Sequence, residues 1–239
     1  MWKDLLPIVE SFTLSQQEME SNPEIVLTEA YLPFFPEKWN GILVLSESQN
    51  LSNSNKSYVD FLKNQYDSKQ RMMRLNEWYA SEGKIFDLGV QPWDDMSIPL
   101  ALKSIYPDFV PGNTAVGNAV PWSAIKGKAN INPTDFMNQR SISIWNELLN
   151  QSFLKDNLLK VITVGKLARN IMIKAEWQKE HLKLRSASNN YIGRISSMFK
   201  IEDLLIRYPE VKEAAEKLGI VPTLNKTYFA CHAVSLYKN

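Results

Sequence analysis

The chain has 239 residues, 44% hydrophobic and 22% charged, with 27 Lys and Arg against 26 Asp and Glu, which is apolar material enough for one sizeable core. A single cysteine, Cys231, excludes an intrachain disulfide, a cysteine-rich zinc site and a four-cysteine iron–sulfur cluster supplied by this chain. No window reaches the roughly 18 apolar residues of a membrane span, and "MWKDLLPIVESFTLSQQEME" has acids within its apolar pattern and no small-residue cleavage site. The expectation is a soluble, cytoplasmic protein without a membrane partner, folded as one domain over 1–239.

The first 38 residues read as a helical segment, with Leu5, Leu6, Val9 and Phe12 packing on a core that spans 40–236. Four short apolar runs then appear: "GILVLS" at 41–46, "TAVGNAV" at 114–120, "KVITVG" at 160–165 and "TYFACH" at 227–232. Each is too short for a helix and rich in β-branched or aromatic residues, which predicts strands near 42–46, 115–120, 160–164 and 227–231. "YDSKQRMMRLNEWYASEG" and "SIPLALKSIYPDF" supply helical pieces between the first two runs.

Between the second and third, Asn132 suits an N-cap and Pro133 the first helical position, ahead of a stripe of Met137, Ile144, Trp145, Leu148 and Leu149. After the third, "GKLARNIMIKAEWQKE" places Leu167, Ala168, Ile171, Met172 and Ala175 on one face, with His181 at its polar, solvent-exposed end. Residues 183–200 lack clean periodicity and suit a basic loop or short helix, and "YPEVKEAAEKLGIVP" a helix started by Pro209 and stopped by Gly219. Strands alternating with helices predict an α/β fold in three layers, a four-stranded, mainly parallel sheet with helices on both faces.

Charge is uneven along the chain. Residues 1–125 hold 9 Lys and Arg against 16 Asp and Glu, whereas 126–200 hold 13 against 5, a net +8. Either solvated helix faces or a polyanionic partner accounts for this, since clustered Lys and Arg neutralise phosphates and release counterions.

In open α/β sheets ligands collect at the carboxyl ends of the strands. There the sequence offers Ser46, Glu47, Ser48, Gln49 and Asn50 after the first run, Asn118 leading into Pro121 and Trp122, Gly165, and His232. Asn118 carries the donors and acceptor that suit the amide edge of a base, or else turns the chain at a strand end. Glu47 suits the orientation of water or a sugar, or is one acid in a serine-rich turn. His232 is a candidate hydrogen-bond donor to a developing anion, or a structural imidazole. Cys231 beside it points to the other face. The paired acids of "PWDDM" have no visible partners for a metal, and no metal or cofactor is expected.

The order and spacing of these elements resemble the uracil-DNA glycosylase superfamily over about 40–236. The family's first motif falls on "SESQN", Ser46 to Asn50; its second-strand asparagine matches the "NAV" that begins at Asn118; "VITVGKLARNIM" is similar to the strand and Gly-led helix that precede its last motif; and its closing histidine falls on His232 of "HAV". The resemblance implies that Asn118, with Ser46 and Gln49, reads a flipped-out base, that Tyr58 or Phe61 stacks on it, and that His232, with Glu47 or Ser48, serves cleavage. The implied activity is hydrolysis of the N-glycosidic bond of uracil or another deaminated base, on single- or double-stranded DNA engaged through the basic segment 126–200. The alternative is a non-catalytic module that binds a nucleobase, nucleotide or nucleic acid on the same fold.

Overall fold

The computed structural model describes residues 2–23, 25, 28–51, 70, 113–125, 135–184, 201–207, 209, 212, 213 and 216. In chain order, a 3-10 turn (Trp2–Leu5) leads into α1 (Leu6–Ser11) and α2 (Gln16–Glu20), followed by β1 (Ile42–Leu51), β2 (Ala115–Ile125), α3 (Asp135–Asn150), α4 (Ser152–Asn157), β3 (Lys160–Val164), α5 (Lys166–Lys174), β4 (Glu180–Leu184) and α6 (Ile201–Arg207). The expected strand at 227–231 and the helical pieces expected between the first two strands lie outside the described residues.

β1, β2, β3 and β4 form one sheet in the order β2-β1-β3-β4, and every strand pair is parallel. β1 and β2 run further than their apolar cores. Glu47–Asn50, expected beyond the end of the first strand, continue it to Leu51, and Pro121 and Trp122 lie within β2. Pairing persists across an irregularity: Ser48 faces Val120 but Asn50 faces Ala124. The two additional residues of β2 accommodate Pro121, which has no N–H to give to a ladder.

β4 stands where the sequence predicts the tail of a helix. α5 stops at Lys174 because Glu176 adopts φ 57°, and the Trp177 N–H closes back on the Met172 carbonyl at 3.2 Å, a left-handed helix stop that frees the next residues to extend. His181 is accordingly a half-buried strand residue rather than an exposed helix end, with Nε2 2.9 Å from Thr163 Oγ1.

Alternation along the strands separates two faces. Leu43, Leu45, Ala115, Ala119 and Val161 join a core with Val9 of α1, Ile144, Trp145 and Leu148 of α3, and Ala168, Ile171 and Met172 of α5. Trp145 Nε1 donates to the Ala119 carbonyl at 2.8 Å, so the buried indole is satisfied as well as packed. Val44, Val116 and Ile162, on the other face, are closed to solvent too. A sheet covered on both sides is what continuous apolar runs such as "KVITV" anticipate.

The outer edge of β2 is not open. The segment before β1 runs along it in extended conformation, with Tyr31 N donating to the Pro121 carbonyl at 2.9 Å and Phe34 bridging Val116 antiparallel at 2.8 and 3.1 Å. Gly117 permits this approach, since a Cβ there would lie 2.9 Å from Pro33 Cβ.

Candidate functional site

In the order β2-β1-β3-β4 the chain leaves β1 toward one side of the sheet and returns from β2 to the other. The topological switch point, where open α/β sheets take ligands, therefore lies at the carboxyl ends of β1 and β3. Two polar constellations flank β1, one on the β2 side midway along both strands and one toward the switch point.

The first lies between β1 and β2. Parallel register sets Ser46 directly opposite Asn118, and the Ser46 hydroxyl donates to Asn118 Oδ1 in a short hydrogen bond. On its other side Asn118 Nδ2 donates to Tyr31 Oη at 2.9 Å. Ser46 is 6% exposed, Asn118 2% and Tyr31 3%. A buried amide costs free energy unless both ends are bonded, and here three chain segments cooperate to bond it.

The second constellation joins β1 to α5. Glu47 Oε1 accepts the backbone N–H of Leu167 at 2.9 Å. Gly165, the N-cap residue, offers no side-chain cap, so the Glu47 carboxylate satisfies one of the orphan donors of the first turn and complements the positive end of the helix. Gly165 has φ 98°, and a Cβ there would stand 2.7 Å from Glu47 Cδ. The residue is glycine for both reasons.

Ser46 and Glu47 are consecutive strand residues, so they serve opposite faces. Ser46 joins Asn118 on the face of Val44; Glu47 follows Leu45 on the face that carries α5. Glu47 and Asn118 therefore lie on opposite sides of the sheet. The backbones of Ser48 and Gln49 belong to β1. Tyr58, Phe61 and His232 lie outside the described residues. Tyr31, which the sequence reading does not single out, is a direct partner of Asn118. Its only sequence signal is its place in the apolar "AYLPFFP", which carries no spacing that ties it to residue 118.

Several charges of the basic segment are engaged internally. Lys160 Nζ lies 2.6 Å from Glu180, Arg140 is 3.6 Å from Glu18, and Lys179 Nζ donates to the carbonyls of Lys155 and Leu158. Among the described residues no three His, Cys, Asp or Glu side chains converge as metal ligands do, and no helix is long and apolar enough to cross a membrane. A cleft of about 1040 Å³ opens at the opposite, amino ends of the strands, beside Gly41, Asn113 and Leu159, with Trp2, Trp39 and Phe153 in its wall.

No protein-family model, curated protein or solved structure matches the chain.

Proposed function

We propose that the protein binds a uracil-type nucleobase between β1 and β2 and acts as a base-excision glycosylase, a diverged member of the uracil-DNA glycosylase superfamily. The observation that carries this reading is the cross-strand pair of Ser46 and Asn118, an amide held between two strands of an all-parallel sheet, at the position where the resemblance expects the base-reading asparagine. With one hydrogen bond accepted from Ser46 and one donated to Tyr31, Asn118 retains one amide hydrogen and one lone pair, the complement of a lactam edge. Chemistry would proceed by attack of water on the sugar carbon while a donor, His232 in this reading, stabilises the departing base anion. DNA would be held by the basic segment 126–200.

A second reading is a base-binding module without cleavage. Glu47 favours it: its carboxylate is bonded to Leu167 on the face away from Asn118 and is therefore engaged in capping α5 rather than in orienting water beside the base.

Base release from oligonucleotides containing uracil, hypoxanthine or xanthine separates the two. A glycosylase releases at least one of them, and His232→Ala slows that release by roughly a hundredfold or more. A protein that releases none, yet loses base-dependent binding in Asn118→Ala, is the module.

A further inference from the structure

We infer that the cleft at the amino ends of the strands is a binding site for a small quaternary ammonium ion, held against the rings of Trp39 and Phe153 with the carboxylates of Glu37 and Asp156 beside it. Ligand sites are concave, hold roughly 300–1,000 Å³ and are walled by aromatic side chains with a few polar groups; at about 1040 Å³ this cleft has the room. Neither Ser46, Glu47 nor Asn118 lines it, so the inference stands apart from the base-binding reading.

The aromatic wall is held from behind. Trp39 and Phe153 are tilted by 32° with ring centroids 5.5 Å apart, and Phe35 meets each of them edge-on, at 5.0 and 5.3 Å. Phe35 is buried, whereas Trp39 and Phe153 are half-buried and keep ring surface open to the cleft. The polar groups of the same wall are turned into the fold. Trp39 Nε1 donates to the Ile42 carbonyl at 2.8 Å, Asn40 accepts the Ile42 N–H at 3.0 Å and donates to Thr114 Oγ1 at 3.2 Å, and Asn157 Nδ2 donates to the Phe153 carbonyl at 2.8 Å. A ligand that needs directional hydrogen bonds finds these groups taken. A quaternary ammonium needs none, because it spreads its charge over a methyl surface that the negative faces of aromatic rings attract.

Charge points the same way. The lining carries two carboxylates, Glu37 and Asp156, against one ammonium, Lys38. A nucleic-acid strand, whose bases would also stack on such rings, brings phosphates of the wrong sign. Asp156 lies in the last turn of α4, where an acid opposes the helix dipole, so helix stability does not account for its presence.

The test titrates the isotope-labelled full chain with choline and, separately, with its neutral isostere, in which a tert-butyl group replaces trimethylammonium. Binding is read from the indole N–H resonances of the seven tryptophans, and the peak lost in Trp39→Phe assigns Trp39. Choline should shift that peak and bind at least about fivefold more tightly than the isostere. The preference should fall in Phe153→Leu, which keeps the apolar bulk, and in Asp156→Asn, which keeps the shape. Urea denaturation checks that both variants fold, and if Phe153→Leu does not, Asp156→Asn decides. Equal affinities for the two probes reduce the cleft to an apolar one and overturn the inference. A Trp39 peak that stays in place, or a preference untouched by either substitution, overturns it as well.

Discussion

Glu47 Oε1 and the backbone N–H of Leu167 lie 2.9 Å apart although 120 positions separate them in the chain. A strand residue thereby supplies the cap that Gly165 cannot, and the junction of β1, β3 and α5 depends on it.

Glu47→Gln should preserve this junction, because an amide oxygen still accepts the Leu167 N–H, whereas Glu47→Ala should lose about 1 kcal/mol, the usual cost of a missing cap. Gly165→Ala should cost roughly 1–3 kcal/mol, since it forces a β-carbon into φ 98° and against Glu47 Cδ. Urea denaturation of the three variants checks the order. Equal losses in Gln and Ala would remove the capping role.

Asn118→Leu should destabilise the fold by about 2–3 kcal/mol, because it leaves the hydroxyls of Ser46 and Tyr31 buried without the amide between them. The triple replacement that also removes those hydroxyls, Tyr31→Phe and Ser46→Ala, should recover part of the loss. Chemical denaturation of single and triple variants measures the difference, and additive losses would contradict a shared network.

At the N-terminus, Ser15 and Glu18 form a capping box, with Glu18 N donating to Ser15 Oγ at 3.3 Å and Ser15 N to Glu18 Oε2 at 2.7 Å. Ser15→Ala should cost about 1 kcal/mol. The hydrogen bond from the Ser15 backbone, aided by its hydroxyl and by Arg140, holds the Glu18 carboxyl below its ordinary value against a smaller opposing effect of burial. A lowered folded-state pKa stabilises the fold above the unfolded value, and that contribution is lost as pH falls through the lowered one. The stability gap between wild type and Glu18→Gln should therefore be full at neutral pH and close in acid. A gap independent of pH would rule this linkage out.

Binding to single-stranded DNA should weaken steeply with salt if the excess charge of residues 126–200 faces phosphates. Arg140, Lys160 and Lys179 have internal partners, so the charge reversals that report on DNA are those at Lys126, Lys128 and Arg194. Affinity should fall in that triple variant for every sequence alike; unchanged affinity would assign these charges to solvation.

The sequence by itself determined the parts of this protein that depend on local periodicity. "ILVL", "AVGNAV" and "KVITV" are apolar runs too short for helices, and each is a strand of the parallel sheet. The stripe of Met137, Ile144, Trp145 and Leu148 is buried as its spacing requires. Ser46, Glu47 and Asn118 were legible as polar residues beside apolar strand cores, but their places midway along β1 and β2 were not. What only the tertiary structure decided depends on register and on contacts distant in sequence. β4 was hidden because "EHLKL" has only two apolar residues, and the helix stop at Glu176 is what releases it. The opposite facing of Glu47 and Asn118 follows from the unbroken extension of β1 past Ser46, which polar residues do not advertise. Tyr31 finds Asn118 across 87 positions because an extended segment happens to line the outer edge of β2, and hydrogen bonds between such distant residues leave no periodic trace in the chain.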